Sequence, residues 1–238
     1  MYGWRARIGL IVPSLNTTAE PEFVRHLPSG VSMHTARLAL DAGTTEELRE
    51  MTDGLDNCCE RLATAGIDVL ALGCTTSTIL NGPERLEARM SERFGVPSVT
   101  TAASLVRAIE ALGTDSIALA TPYADELNSI EVDYLESAGV DIVALNGLGI
   151  PTGQEIGRRF PESAYRQVAS MDRQGAEAVV ISCANYRTDE ITESLEADLG
   201  KPVVTSNQAL LWDALERTEV EYGEIPLGTL FEEDVGGA

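Results

Sequence analysis

Two cysteines, Cys74 and Cys183, lie 109 positions apart, and each closes a short apolar run, Val69-Leu70-Ala71-Leu72 and Val179-Val180-Ile181. A thiol at a strand end can act as nucleophile, base or acid, according to how far its surroundings favour the thiolate. Small polar residues follow each cysteine, Thr75-Thr76-Ser77 and Ala184-Asn185, and a helical pattern comes next. Backbone amides at a helix start attract a carboxylate and stabilise a neighbouring thiolate, so one segment would supply both an anion pocket and a reactive sulfur. Two such segments face to face would put acid–base groups on opposite sides of one small substrate. Packing alone would accept valine or alanine at either position.

Other residues offer less. Cys58 and Cys59 fall in the middle of an amphipathic helical pattern and read as core. His26 and His34 do not recur between the halves of the chain and read as surface or loop residues. With two histidines and no C-x-x-C pair, a zinc site is not expected. The loop Pro13-Ser14-Leu15-Asn16-Thr17-Thr18 is dense in donors, making Ser14 and Asn16 candidate binders, although Asn16 or Thr17 could equally cap a helix. The corresponding loop of the second half offers Tyr123, whose phenol could donate to an anion or fill the core. Thr76 joins the candidates beside Cys74. Gly147-x-Gly149 and Gly153 complete no nucleotide-binding pattern; the stretch reads as a loop covering substrate or as a surface turn.

The elements that must position these residues come from an internal repeat. Ile8-Gly9-Leu10-Ile11-Val12-Pro13 matches Ile117-Ala118-Leu119-Ala120-Thr121-Pro122, and residues 66–74 match 175–183, both at the offset of the two cysteines. Gly95-Val96-Pro97 matches Gly200-Lys201-Pro202 at an offset shortened to 105. Short apolar runs without polar alternation are the mark of parallel strands covered on both faces, and helical patterns over 46–65 and 163–174 stop at Gly66 and Gly175. The predicted fold is α/β: two pseudo-symmetric lobes, each a doubly wound parallel sheet of about four strands flanked by helices, with the active site in the cleft between them. Residues 1–100 with 209–238 would form the first lobe and 101–208 the second.

The 238 residues are 44% apolar, enough for a sizeable core without disulfides. The net charge is −21, and Lys201 is the one lysine among 17 basic residues, a balance that points to a salt-rich host in which carboxylate repulsion is screened. A polyanion would be repelled, so nucleic acid is not an expected partner. No apolar run approaches a membrane span, and the amino-terminal residues lack a signal pattern, so a cytoplasmic location is expected. Homo-oligomerisation is expected from the frequency of such assemblies. In 219–238, Leu227, Leu230 and Phe231 would dock on a lobe or a neighbouring subunit, or the end would fray.

Together, residues 9–23, Gly73-Cys74-Thr75-Thr76, Thr121-Pro122-Tyr123, Ile156-Gly157-Arg158 and Ser182-Cys183-Ala184-Asn185-Tyr186-Arg187-Thr188 resemble the aspartate/glutamate racemase superfamily, in particular its maleate cis-trans isomerase and arylmalonate decarboxylase branch. The resemblance covers about 7–211. It implies a cofactor-free site for a small carboxylate, with Cys74 as nucleophile and Cys183 as opposing acid. Asn16 and Tyr123 match carboxylate binders, Thr75 and the backbone around Ala184 would complete the anion pockets, and Arg187 would support the second cysteine loop. Where the family places an asparagine before Ile156, Gly153 and Gln154 stand, and Gln154 would serve with a longer amide. The branch's decarboxylases keep only the second cysteine, so retention of Cys74 favours isomerisation of maleate or a similar dicarboxylate. Racemisation of an amino acid or hydantoin is the alternative, ahead of decarboxylation or simple metabolite binding.

Overall fold

The computed structural model describes residues 1–171, 173–218 and 220–232. The first half contains β1 (Ala6–Pro13), α1 (Ala19–His26), β2 (Val31–Leu38), α2 (Thr45–Glu50), α3 (Leu55–Ala63), β3 (Val69–Leu72), α4 (Thr75–Asn81), α5 (Pro83–Phe94), β4 (Ser98–Thr100) and α6 (Thr101–Ala111). The second contains β5 (Ser116–Thr121), α7 (Asp125–Ser137), β6 (Asp141–Gly147), α8 (Gly153–Gly157), α9 (Pro161–Ser170), β7 (Ala178–Ile181), α10 (Thr192–Leu199), β8 (Val203–Thr205) and α11 (Ser206–Glu216). They build two four-stranded sheets with the same order, β2-β1-β3-β4 and β6-β5-β7-β8, parallel throughout.

Strand periodicity explains why both faces are apolar. Val69 and Ala71 of β3, like Ala178 and Val180 of β7, point into a core shared by the two sheets, whereas Leu70, Leu72, Val179 and Ile181 point to the outer helices. Helices α6 and α11 pack on each other in the shared layer, and each touches both β4 and β8. Arg107 of α6 fastens this seam, donating to Asp213 of α11 at 2.8 Å and to Glu87 of α5 at 2.7 Å. Leu227, Leu230 and Phe231 are buried in the same core. Glu219 and 233–238 of the acidic end lie outside the described residues.

Three local expectations change. The helix expected over 163–174 is α9, which stops at Ser170, where Met171 turns extended. The helix expected over 46–65 is interrupted by a 3-10 turn, Met51–Gly54. Gly54 weakens a helix interior, and a Cβ there would stand only 3.2 Å from Leu38 Cδ2, so the break lets the chain pass close to β2. After Cys183 the chain does not become helical until Thr192. The Glu22 carboxylate instead takes the amides of Thr188 and Asp189, and this tertiary contact replaces a helical turn.

Candidate active site

Parallel sheets present ligands at the carboxyl ends of their strands. Here the chain leaving β1, β3, β5 and β7 converges on one cavity, lined among others by Asn16, Cys74, Tyr123 and Cys183. Its volume is about 70 Å³, room for roughly five to seven water-sized groups and therefore for a small molecule. Leu15, Leu40, Leu48, Leu127, Ile150 and Ile156 form apolar walls, and the lining contains no lysine, arginine or histidine. An anion in this cavity would be held by neutral donors.

Cys74 caps α4 in an extended conformation. Its sulfur accepts from the Ser77 amide and the Thr76 hydroxyl, but burial outweighs both and pushes the thiol up to about 11. Burial likewise pushes Cys183 up to about 12, against donation from the Tyr123 hydroxyl and from the Asn185 amide at 3.4 Å. The expectation that helix-start amides favour thiolates is thus corrected: desolvation wins, and both sulfurs rest protonated at neutral pH. Cys183 is the one non-glycine among the described residues with positive φ, +154°. Such backbone strain concentrates at functional turns.

Tyr123 is buried, and burial raises it further above its ordinary value, so it stays a donor. The N-cap of α1 is Thr18, not Asn16 or Thr17, but Asn16 braces that helix start: its Oδ1 accepts from the Thr18 and Ala19 amides at 2.9 and 3.0 Å, while its Nδ2 donates to the Ala184 carbonyl at 2.9 Å. Thr75 Oγ1 lies 3.0 Å from Ser206 Oγ, and Thr76 bonds the first sulfur. Asn16, Thr75, Thr76, Tyr123 and Ala184 line the cavity.

Ser14 and Gln154 do not. Ser14 is exposed, and its hydroxyl bonds the Leu40 backbone at 3.0 and 3.1 Å, prolonging the pairing of β1 with the chain after β2. Gln154 is also exposed; its amide donates to the Asp41 carbonyl, while Gly153 and Ile156 face the cavity from the same short helix. His26 is no surface residue, since it bonds the buried Asp189 at 3.1 Å. His34 is half-buried on β2 beside Ser32, and Arg187 pairs with Glu190 away from the cavity.

The stretch Ile150 to Gly153 lines the cavity, which favours the covering loop over a surface turn. A residue not singled out as a binder holds it there. Asn185 accepts from the Thr17 amide at 2.9 Å and donates to the Gly153 carbonyl at 2.8 Å, so three segments from both lobes meet on one side chain. The asparagine directly after Cys183-Ala184 was the available signal.

Two repeated α/β lobes with opposed thiols at equivalent strand ends define a two-cysteine enzyme scaffold. The arylmalonate decarboxylase family model matches residues 8–231, and the chain belongs to this family. It is 31% identical over 227 residues to a maleate isomerase of Geobacillus stearothermophilus, covering 88% of this chain and 90% of the relative. Among solved structures, the maleate isomerase Iso of Pseudomonas putida S16 with maleate, a cysteine-to-alanine variant, superposes with a TM-score of 0.89 at 27% identity, over 95% of this chain and 97% of the other. A cysteine-to-serine mutant of the Nocardia farcinica maleate cis-trans isomerase, carrying a covalently bound succinylcysteine intermediate, superposes with a TM-score of 0.90 at 26% identity, over 96% and 98%.

Proposed function

We propose that the chain is a cofactor-independent cis-trans isomerase of maleate or a closely similar small dicarboxylate, with Cys74 as nucleophile and Cys183 as opposing acid. The observation that carries this reading is the pair of thiols lining one small cavity whose polar lining is neutral. The working state holds one proton on the pair. The Cys74 sulfur adds to one alkene carbon, and the other carbon takes the proton of Cys183. Rotation about the new single bond, return of that proton to Cys183 and expulsion of Cys74 give the trans isomer. Asn16, Thr75 and Tyr123, with the backbone around Ala184, would hold the two carboxylates. A proton NMR time course with maleate in deuterated water tests the reaction: fumarate should appear. No fumarate, with deuterium entering the α-carbon of aspartate, glutamate or a hydantoin instead, would replace the isomerase with a racemase.

Tyr123→Phe removes the donor to Cys183. A hydrogen bond to a charged partner is worth about 1.5–3 kcal/mol, so kcat should fall roughly ten- to a hundredfold, and the Cys183 thiol should titrate higher still. An unchanged kcat would make Tyr123 a packing residue.

The same reading includes a homo-oligomeric enzyme of the cytoplasm in a salt-rich cell. A chain of net charge −21 repels a dianionic substrate as well as itself, and in molar KCl the Debye length shrinks to about 3 Å. Both kcat/KM for maleate and the melting temperature should therefore rise from dilute buffer to molar KCl. A fall in both would remove the salt adaptation.

A further inference from the structure

Cys183 holds a φ of +154°, which a residue with a side chain rarely adopts. Hydrogen bonds fix three successive peptides around it. The Cys183 amide donates to Ser206 Oγ at 2.9 Å, and the Tyr186 amide donates to the Cys183 carbonyl at 3.0 Å. The Ala184 carbonyl accepts two side-chain donors, Asn16 Nδ2 at 2.9 Å and Asn207 Nδ2 at 3.2 Å. This last peptide bears on the chemistry, because its N–H is that of Asn185, 3.4 Å from the Cys183 sulfur. In a trans peptide the C=O and N–H point in opposite directions, so whatever fixes the Ala184 carbonyl also aims the Asn185 N–H.

Asn207 is anchored from behind. Its Nδ2 also donates to Glu22 Oε2 at 2.5 Å, and Glu22 Oε1 accepts from the Thr188 and Asp189 amides at 2.8 and 3.3 Å. Both Asn207 and Glu22 are buried, and neither lines the cavity. The amide oxygen of Asn207 is buried with no protein partner among the described residues, a cost that a side chain kept for packing alone would not carry. The first half shows that the fold does not need an amide there. At the offset of 105 that relates the two fourth strands, Asn207 corresponds to Ala102. The Cys74 sulfur takes its backbone donor from Ser77, inside α4. A sulfur at a helix start inherits a fixed donor, whereas one on an irregular loop needs its donor fixed for it.

We propose that Asn207, anchored by Glu22, is a positioning residue for the acid of the reaction: by holding the Ala184 carbonyl it keeps the Asn185 N–H on the Cys183 sulfur, where it stabilises the thiolate left when Cys183 gives up its proton. Asn207 itself touches no reacting atom. Its purpose rests on the isomerase reading, in which Cys183 gives a proton and takes it back; the geometry does not. The titratable groups that bear on Cys183 are Tyr123, Tyr186, Cys74 and Glu131. Those that bear on Glu22 are Arg187 and Asp189, the latter paired with Arg25 and His26. None of these side chains bonds Asn207, so its removal leaves them in place.

The test compares initial rates of iodoacetamide alkylation at Cys183 and Cys74, read by peptide mass spectrometry across about pH 7 to pH 10, in the unsubstituted protein, Asn207→Ala and Glu22→Gln. Below a thiol's midpoint the rate follows its equilibrium thiolate fraction, so a donor that is no longer aimed is read directly. In Asn207→Ala, Cys183 should alkylate roughly three- to tenfold more slowly, part of the worth of a hydrogen bond to a charged group, while Cys74 in the same cavity keeps its rate. With maleate, kcat should fall by a similar factor and KM stay within about twofold. Glu22→Gln keeps the volume and an acceptor for the two amides but turns an N–H donor on Asn207 Nδ2. It should slow Cys183 in the same way, and it decides the matter alone if Asn207→Ala does not fold. Rates at Cys183 that stay unchanged in folded variants, or that fall equally at both cysteines, would overturn the proposal. If the unsubstituted protein leaves maleate unchanged, the isomerase reading falls while the two alkylation rates still decide the role of Asn207.

Discussion

Serine in place of Cys74 should leave maleate essentially unconverted, with turnover reduced by roughly four orders of magnitude or more, whereas serine in place of Cys183 should stall the reaction after its first bond has formed. The two sulfurs occupy equivalent places in the repeat but play unequal parts in addition and elimination. Cys74 makes the carbon–sulfur bond, and an alkanol is far too weak an acid to replace it as nucleophile. Cys183 moves a proton, and a hydroxyl held by Tyr123 and the Asn185 amide can still donate one but is slow to take it back. The Cys183→Ser protein should therefore accumulate an adduct on the Cys74 peptide, heavier by one molecule of maleic acid. The relative captured with succinylcysteine is itself a cysteine-to-serine mutant. Mass spectrometry of both variants after incubation with maleate, with circular dichroism to verify folding, checks the assignment. Equal loss in both variants with no adduct in either would point to proton exchange at one carbon, the racemase chemistry.

The large features of this molecule are legible because they are repeated. The match of residues 66–74 with 175–183 foretells both third strands and both cysteines, since a buried parallel strand demands the same apolar run in each half. What escapes the reading are consequences of tertiary contact. Both thiols are followed by small polar residues, yet only the first runs into a helix; the second loop gives its amides to Glu22, a residue far away in the chain. Ser14 and Asn16 look equally fit to bind an anion, but two residues of separation send one to the Leu40 backbone and the other to the cavity. The thiol acidity is misjudged for the same reason: helix-start amides are visible in the sequence, whereas the degree of burial that overrides them is decided only when the lobes close.

Asn185→Ala should cost roughly a hundredfold in kcat/KM, the scale of a catalytic group or substrate misplaced by about 1 Å. Asn185 joins the loop after β1, the covering segment at Gly153 and the backbone beside Cys183. Truncation leaves the cover hydrogen-bonded to the first lobe, among the described residues, only through the backbone around Asp41, and losing two hydrogen bonds at about 0.5–1.5 kcal/mol each should lower the melting temperature by a few degrees. Because Asn185 also lines the cavity, the rate loss could come from a lost substrate contact, and Gly157 separates the two causes. A Cβ on Gly157 would stand 2.9 Å from both Asn185 Nδ2 and Thr17 Oγ1, so Gly157→Ala pries the clamp apart without deleting a polar atom. If clamping is what matters, Gly157→Ala reproduces the loss in kcat and the shift in melting temperature. If Gly157→Ala is silent while Asn185→Ala mainly raises KM, the amide holds the substrate itself, as the asparagine that the sequence lacks at Gln154 would have done.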